Sequence, residues 1–164
     1  SLFIDNLIQK TTAPPAEFIQ VMESLAGLEP PYRKSILNTG TTAYAFYSLE
    51  DPADTHWTGY QFHQPAARTG VMVLFRRTGS EKDTAQFRLQ NLDEKASYDF
   101  TLWQAVNWDG QSVLDHIQPV ADPATVLNPD VGQKTGRQLM DDGLSVQITQ
   151  VPQVLWIVYQ QKSR

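Results

Sequence analysis

The sequence contains no cysteine, few charged residues and no long apolar run. The absence of cysteine excludes disulfide bonds, thiolate zinc sites and cysteine nucleophiles, so packing alone must hold the fold together. Only 19% of the residues are charged, the net charge is −5, and Lys and Arg occur singly or in pairs. No basic face for phosphate groups is therefore expected, and nucleic acid is not predicted as a partner.

The apolar runs are only as long as single strands. The longest are Val71 to Phe75 and Val154 to Val158, far below the ~20 residues that a transmembrane helix needs. We therefore expect a soluble chain with no membrane partner, and the sequence leaves its cellular compartment open. The length of 164 residues is sufficient for one domain with a well-formed core.

The acidic residues and histidines show no spacing that is typical of a catalytic or metal-binding site. The acidic residues that lie side by side are the pairs Glu50-Asp51, Asp93-Glu94 and Asp141-Asp142. Each pair is beside a turn signal, where short acidic side chains satisfy backbone groups, so a glycosidase-type carboxylate pair is not predicted. The three histidines, His56, His63 and His116, match no metal-binding spacing. The sequence thus predicts no catalytic residue, no cofactor site and no metal site.

Residues 1 to 40 have a helical character that the rest of the chain lacks. Between Pro14 and Gly27, the apolar residues Phe18, Met22 and Leu25 fall on one helical stripe, with a proline at the start and a glycine at the end. A second, weaker helix is predicted over Leu2–Ile8. We interpret 1–40 as a helical lead-in, either the end of a preceding barrel domain or a linker.

Residues 41 to 164 show the two-residue period of strands separated by turn clusters. About eight strands are predicted, near Ala43–Leu49, Trp57–His63, Val71–Arg77, Ala85–Gln90, Tyr98–Gln104, Gln111–His116, Leu144–Thr149 and Val154–Gln160. This spacing is typical of an all-β, antiparallel sandwich or barrel. The segment Ile117 to Lys134 contains three prolines and is interpreted as a long inserted loop.

Two of the predicted strands are apolar on both faces, Val71 to Phe75 and Val154 to Tyr159. Such strands are central in a sheet or have their outer side covered by another element. Phe75 and Trp156 are therefore candidate domain-interface residues. Phe18, Met22 and Leu25 of the predicted helix are the matching candidates on the other side of that interface.

Aromatic residues are numerous, and sugars stack on Trp and Tyr rings. Most of the aromatic residues lie within strand patterns, where core or interface packing is the usual role. Trp108 is the exception because it precedes Asp109-Gly110 in a predicted turn. Trp108 is thus the one candidate for sugar stacking.

Several short motifs occur in an order that resembles a known family. The first group comprises Tyr44–Leu49, Trp57, Gln61–Pro65, Gly70 and Val71–Arg77. The second comprises Ala85–Leu89, Leu92 and Tyr98, and the third Gly136–Met140 with Gly143-Leu144. Together they resemble the C-terminal domain of family thirty-six glycoside hydrolases, the bacterial α-galactosidases, over Tyr44 to Tyr159.

The resemblance implies a Greek-key β-sandwich that packs against a (β/α)8 barrel. In that family the catalytic aspartates lie on the barrel, and no position of this chain matches their motifs. The expected function is therefore that of a non-catalytic accessory domain in carbohydrate metabolism. Its expected partner is the catalytic barrel of the same protein, with at most weak binding of galactosides.

Two other functions remain open from the sequence. The chain could be a carbohydrate-binding module that uses exposed aromatic rings, or an interaction or oligomerisation sandwich unrelated to sugars. A planar row of exposed rings would favour the binding module. A broad apolar patch near the N-terminal helices would favour the accessory domain or the interaction sandwich.

Overall fold

The computed structural model describes residues 42–46, 56–66, 68–109 and 116–163. Within these ranges the chain is mostly strand with little helix, and every strand pair is antiparallel, which confirms the predicted all-β class. The strands are β1 (Thr42–Phe46), β2 (Trp57–Gln64), β3 (Thr69–Arg76), β4 (Thr84–Phe87), β5 (Tyr98–Ala105), β6 (Ile117–Pro119), β7 (Leu144–Gln147) and β8 (Gln153–Gln161).

The described strands form two sheets. The larger sheet has the order β1-β2-β3-β8-β5-β6, and the smaller sheet pairs β4 with β7. Strands β3 and β8 occupy the middle of the larger sheet, as their apolar residues on both faces predicted. All eight residues of β3 are buried, and so are the first seven of β8.

The core lies between one face of the larger sheet and the smaller sheet. The β3–β8 register places Met72 opposite Ile157 and Leu74 opposite Leu155. These four side chains share one buried cluster with the apolar residues of the smaller sheet, among them Ala85, Phe87, Leu144 and Val146. Burying one such large apolar side chain stabilises the fold by about 1.5–3 kcal/mol. This cluster holds the two sheets together.

One α-helix, α1 (Gly136–Asp141), precedes β7 and was not predicted. Its start is fixed by a capping box, in which Thr135 Oγ1 accepts from the Gln138 backbone N–H and Gln138 Oε1 accepts from the Thr135 N–H. The helix ends before Gly143, whose φ of +87° suits glycine. Leu139 anchors α1 in the core.

The segment Ile117 to Lys134 is not the structureless loop that its prolines suggested. It contains β6 and two 3₁₀ helices, Pro123–Thr125 and Val131–Gln133. Its apolar residues Val126, Leu127 and Val131 join the core cluster. The interpretation as a long loop is therefore wrong, because these apolar residues pack the segment into the core, and its being an insertion stays a prediction.

Some predictions fall on residues outside the described ranges. These are the helical lead-in 1–40, its two helices and the interface candidates Phe18, Met22 and Leu25. Five of the six residues in the predicted strand Gln111–His116 also lie outside. The sixth, His116, immediately precedes β6.

Candidate functional site

The larger sheet has a second face that points away from the core cluster, and we call it the outer face. Strand alternation assigns to it the residues between the core-facing ones on β2, β3, β5 and β8. Its large apolar members are Tyr60, Phe62, Val71, Val73, Phe75, Trp103, Val154, Trp156 and Val158. None of these belongs to the core cluster, and yet none is more than 7% exposed.

The interface candidates Phe75 and Trp156 both lie on the outer face. Phe75 pairs with Val154, and Trp156 pairs with Val73 on one side and Trp103 on the other. The Trp156 ring is fully buried, and within the described part of the chain its Nε1–H has no hydrogen-bond acceptor. A buried donor without an acceptor costs about 1–3 kcal/mol. The outer face thus combines a continuous apolar surface with one polar group that an acceptor would stabilise.

A buried polar network crosses the edge of the core around Tyr159. Gln61 Nε2 donates to Tyr159 Oη at 2.8 Å and to the Gln90 carbonyl at 3.0 Å, and Gln61 Oε1 accepts from the Gln90 N–H at 2.8 Å. His63 Nδ1 lies 2.6 Å from Tyr159 Oη. The network ties β2 and β8 to the loop that follows β4.

This environment favours the neutral form of His63. Burial lowers the pKa of His63, and the hydrogen bond to the Asn91 backbone only partly opposes that effect. Gln61 Nε2 donates to Tyr159 Oη, and the direction of the bond between Tyr159 Oη and His63 Nδ1 depends on the His63 tautomer. Because His63 is only 4% exposed, the network serves to position strands rather than to reach a substrate.

Trp108 does not offer the exposed ring that its sugar-stacking role requires. It follows β5 as predicted, but it is only 8% exposed, and its backbone carbonyl accepts from Gln150 Nε2 at 3.1 Å. Tertiary contacts therefore bury the ring, although Trp108 lies beside a predicted turn. Stacking of a sugar on Trp108 stays a prediction that this placement disfavours.

The acidic pairs within the described ranges are at the surface. Asp93 and Glu94 are exposed, and Asp93 Oδ1 accepts from the Lys95 N–H. Asp141 and Asp142 are exposed at the end of α1, where Asp141 Oδ2 lies 3.6 Å from Arg137 Nε. The pair Glu50-Asp51 is outside the described residues.

The described residues contain neither a candidate metal cluster nor a candidate membrane-spanning helix. No group of three or more His, Asp or Glu side chains there is arranged to hold a metal ion. No helix in that part of the chain is long and apolar enough to cross a membrane.

No protein-family model matches the chain, and no curated protein shows significant sequence similarity to it.

Proposed function

We propose that this chain is the non-catalytic C-terminal accessory domain of an α-galactosidase-like glycoside hydrolase, and that it packs against a catalytic barrel and stabilises it. The observation that carries the proposal is the outer face. Its large apolar side chains are buried although none belongs to the cluster that includes the smaller sheet. Such a surface needs an apolar cover, and the exposed helix faces of a barrel are of that kind.

The proposal includes a Greek-key β-sandwich as the complete fold. Two antiparallel sheets share one buried cluster, and the chain changes sheets between β3 and β4, between β4 and β5, and again around β7. Strands β3, β8 and β5 are neighbours although they are far apart in sequence. Long crossovers of this type are characteristic of Greek-key connections.

The family-like motif residues support the proposal because they occupy structural positions. A Cβ at Gly70 would overlap the Tyr159 phenol, so this site admits only glycine. Gln61 organises the buried network, and Gly143 adopts a φ of +87°. These residues specify a fold, as expected of an accessory domain whose chemistry lies elsewhere.

The lead-in 1–40 is the proposed cover of the outer face. Its predicted stripe of Phe18, Met22 and Leu25 would pack on Phe75 and Trp156. If the stripe belongs to the last helix of a barrel, the outer face is the barrel interface. Burial of three such side chains stabilises by about 5–8 kcal/mol, which is a large part of typical domain stability.

The complete reading frame upstream of Ser1 tests the family assignment directly. The proposal requires a (β/α)8 barrel there with a pair of catalytic aspartates of the retaining type. The purified chain itself should release no sugar from aryl α-galactosides. An upstream sequence without a barrel, or hydrolysis by the chain that disappears in Asp141→Asn, would contradict the proposal.

Substitution of the three stripe residues tests whether the lead-in covers the outer face. Phe18→Ser, Met22→Ser and Leu25→Ser together should lower the melting temperature sharply and increase the binding of an apolar dye. Gln20→Ser with Glu23→Ser is the matched control, because both residues lie off the stripe. Equal melting temperatures and equal dye binding for the two variants would show that the stripe does not cover the sheet.

The two other functions differ in the surface that each requires. A module with an aromatic platform requires exposed rings, but among the described side chains the only large exposed hydrophobic residue is Val151, at 37%. An oligomerisation sandwich would be revealed by a concentration-dependent mass in light scattering. The accessory domain is expected to stay monomeric while its outer face is covered.

A further inference from the structure

A cleft opens at one end of the core, away from the outer face. It lies between the end of β5, the first 3₁₀ helix and the turn that joins β7 to β8. Its volume is about 300 Å³, which is at the lower end of ligand pockets. The polar residues that line it are Gln104, Gln147, Gln150, Gln153, Thr125 and Thr149.

The lining is polar without being charged. The remaining lining residues are Val106, Val126 and Ile148, so none of the described residues in the wall has an ionisable side chain. Glutamine carries both an acceptor oxygen and two N–H donors, and threonine carries a hydroxyl that does both. A wall of this composition complements a ligand that offers several neutral hydroxyl groups, and it provides no partner for a charged group.

Gln153 gives the cleft a fixed hydrogen-bond donor. The side chain is 96% buried, since only 4% of its surface is exposed. Its Oε1 accepts from the Ala105 N–H at 3.0 Å and from the Val154 N–H at 2.9 Å, and these two bonds fix the plane of the amide. Within the described part of the chain its Nε2 has no acceptor. The –NH₂ group is therefore a pre-oriented donor in the cleft wall.

The neighbouring amides add groups that can adapt to a ligand. The Gln104 side chain is half-buried and makes no hydrogen bond to the described residues, and Gln104 lies beside Leu155 of β8 in the register. Gln150 is held by its bond to the Trp108 carbonyl, which leaves its Oε1 as an acceptor. Fixed and adjustable amides thus face one small volume.

We propose that this cleft binds a neutral polyhydroxylated ligand of the size of a hexose, through hydrogen bonds from glutamine and threonine rather than by aromatic stacking. Gln153 is the anchoring donor, and Gln104 and Gln150 complete the contacts. Each lost bond to a buried neutral group weakens such binding substantially. The cleft would bind its ligand whether or not the outer face docks on a barrel.

The test is a titration of the full chain with D-galactose and D-glucose, followed by NMR on the side-chain amide signals. Binding in the millimolar range should shift the Gln153 and Gln104 amide signals. In Gln153→Glu the two backbone N–H groups keep an oxygen acceptor while the donor is lost, so affinity should fall at least tenfold. Gln160→Glu is the matched control, because Gln160 is exposed and lies outside the cleft, and its affinity should not change.

Gln104→Leu is a second variant that tests ligand binding if Gln153→Glu does not fold. It should weaken binding several-fold without loss of the folded NMR spectrum. Absence of any shift with both hexoses, or affinity that is unchanged in every cleft variant, would overturn the proposal. A preference for D-galacturonate over D-galactose would overturn the assignment to a neutral ligand.

Discussion

The two fully enclosed tryptophans provide a matched pair for measuring one hydrogen bond. Trp57 and Trp156 are 2% and 0% exposed. Trp57 Nε1 donates to the Lys82 carbonyl at 2.9 Å, whereas Trp156 Nε1 has no acceptor among the described residues. Phenylalanine in place of either residue removes a similar volume from a packed site, so the difference between the two variants isolates the indole N–H.

The expected difference follows from the state of each donor. Trp57→Phe breaks a hydrogen bond that contributes about 0.5–1.5 kcal/mol net, and Trp156→Phe removes an unsatisfied donor that costs about 1–3 kcal/mol. Beyond the shared packing loss, Trp57→Phe should therefore be less stable than Trp156→Phe by about 2–4 kcal/mol. For a chain of this size the gap corresponds to a melting temperature lower by at least about 4 °C.

The assay is urea unfolding of the full chain at pH 7.5, followed by far-UV circular dichroism and checked by thermal melting. The slope of the free energy against urea should be the same for both variants, so that midpoints compare directly. Equal midpoints, or a lower midpoint for Trp156→Phe, would refute the reasoning. That result would mean that Trp156 Nε1 has an acceptor in solution, which a segment on the outer face would supply.

Two further predictions concern the core. Because burial lowers the pKa of His63, this histidine takes up a proton more readily in the unfolded chain than in the folded one. The free energy of unfolding should therefore fall as the pH drops below about 6.5. His63→Gln should flatten this part of the pH profile, and an unchanged profile would show that His63 is not responsible. Gly143→Ala should destabilise the fold by about 1–3 kcal/mol, because φ is +87° and the new Cβ would lie 2.7 Å from the Phe87 carbonyl oxygen. The control is Gly132→Ala, because its Cβ would lie 3.8 Å from Lys162 Nζ. This control should match the wild type in urea unfolding.

Strand positions were predictable because their signal is local. Leu144 and Val146 alternate with Ser145 and Gln147 in the sequence, and they alternate between buried and exposed in β7. Helix α1 was missed because six residues are too few for a periodic pattern. The sequence feature that marks its start is the capping box of Thr135 and Gln138.

The candidate site could not be predicted from the sequence, because it depends on contacts between residues that are far apart in the chain. Gln61 and Tyr159 are 98 positions apart, and nothing near either residue indicates the other. Gln153 is one of several glutamines in the chain, and only the backbone N–H groups around it distinguish its role. The burial of Trp108 likewise arises from tertiary packing, which a turn pattern does not encode.

The position of β8 in the larger sheet bears on the order in which the protein can fold. β8 comes last in sequence among the described strands, yet it lies between β3 and β5. During synthesis, the apolar edge of β3 in the β2–β3 hairpin stays without its partner strand β8 until the intervening residues 77–152, more than seventy in number, have been made. Closing a loop of that length is slow, and the waiting edge can pair with other chains. Nascent chains of this protein should therefore depend on protection of the β3 edge until β8 is inserted.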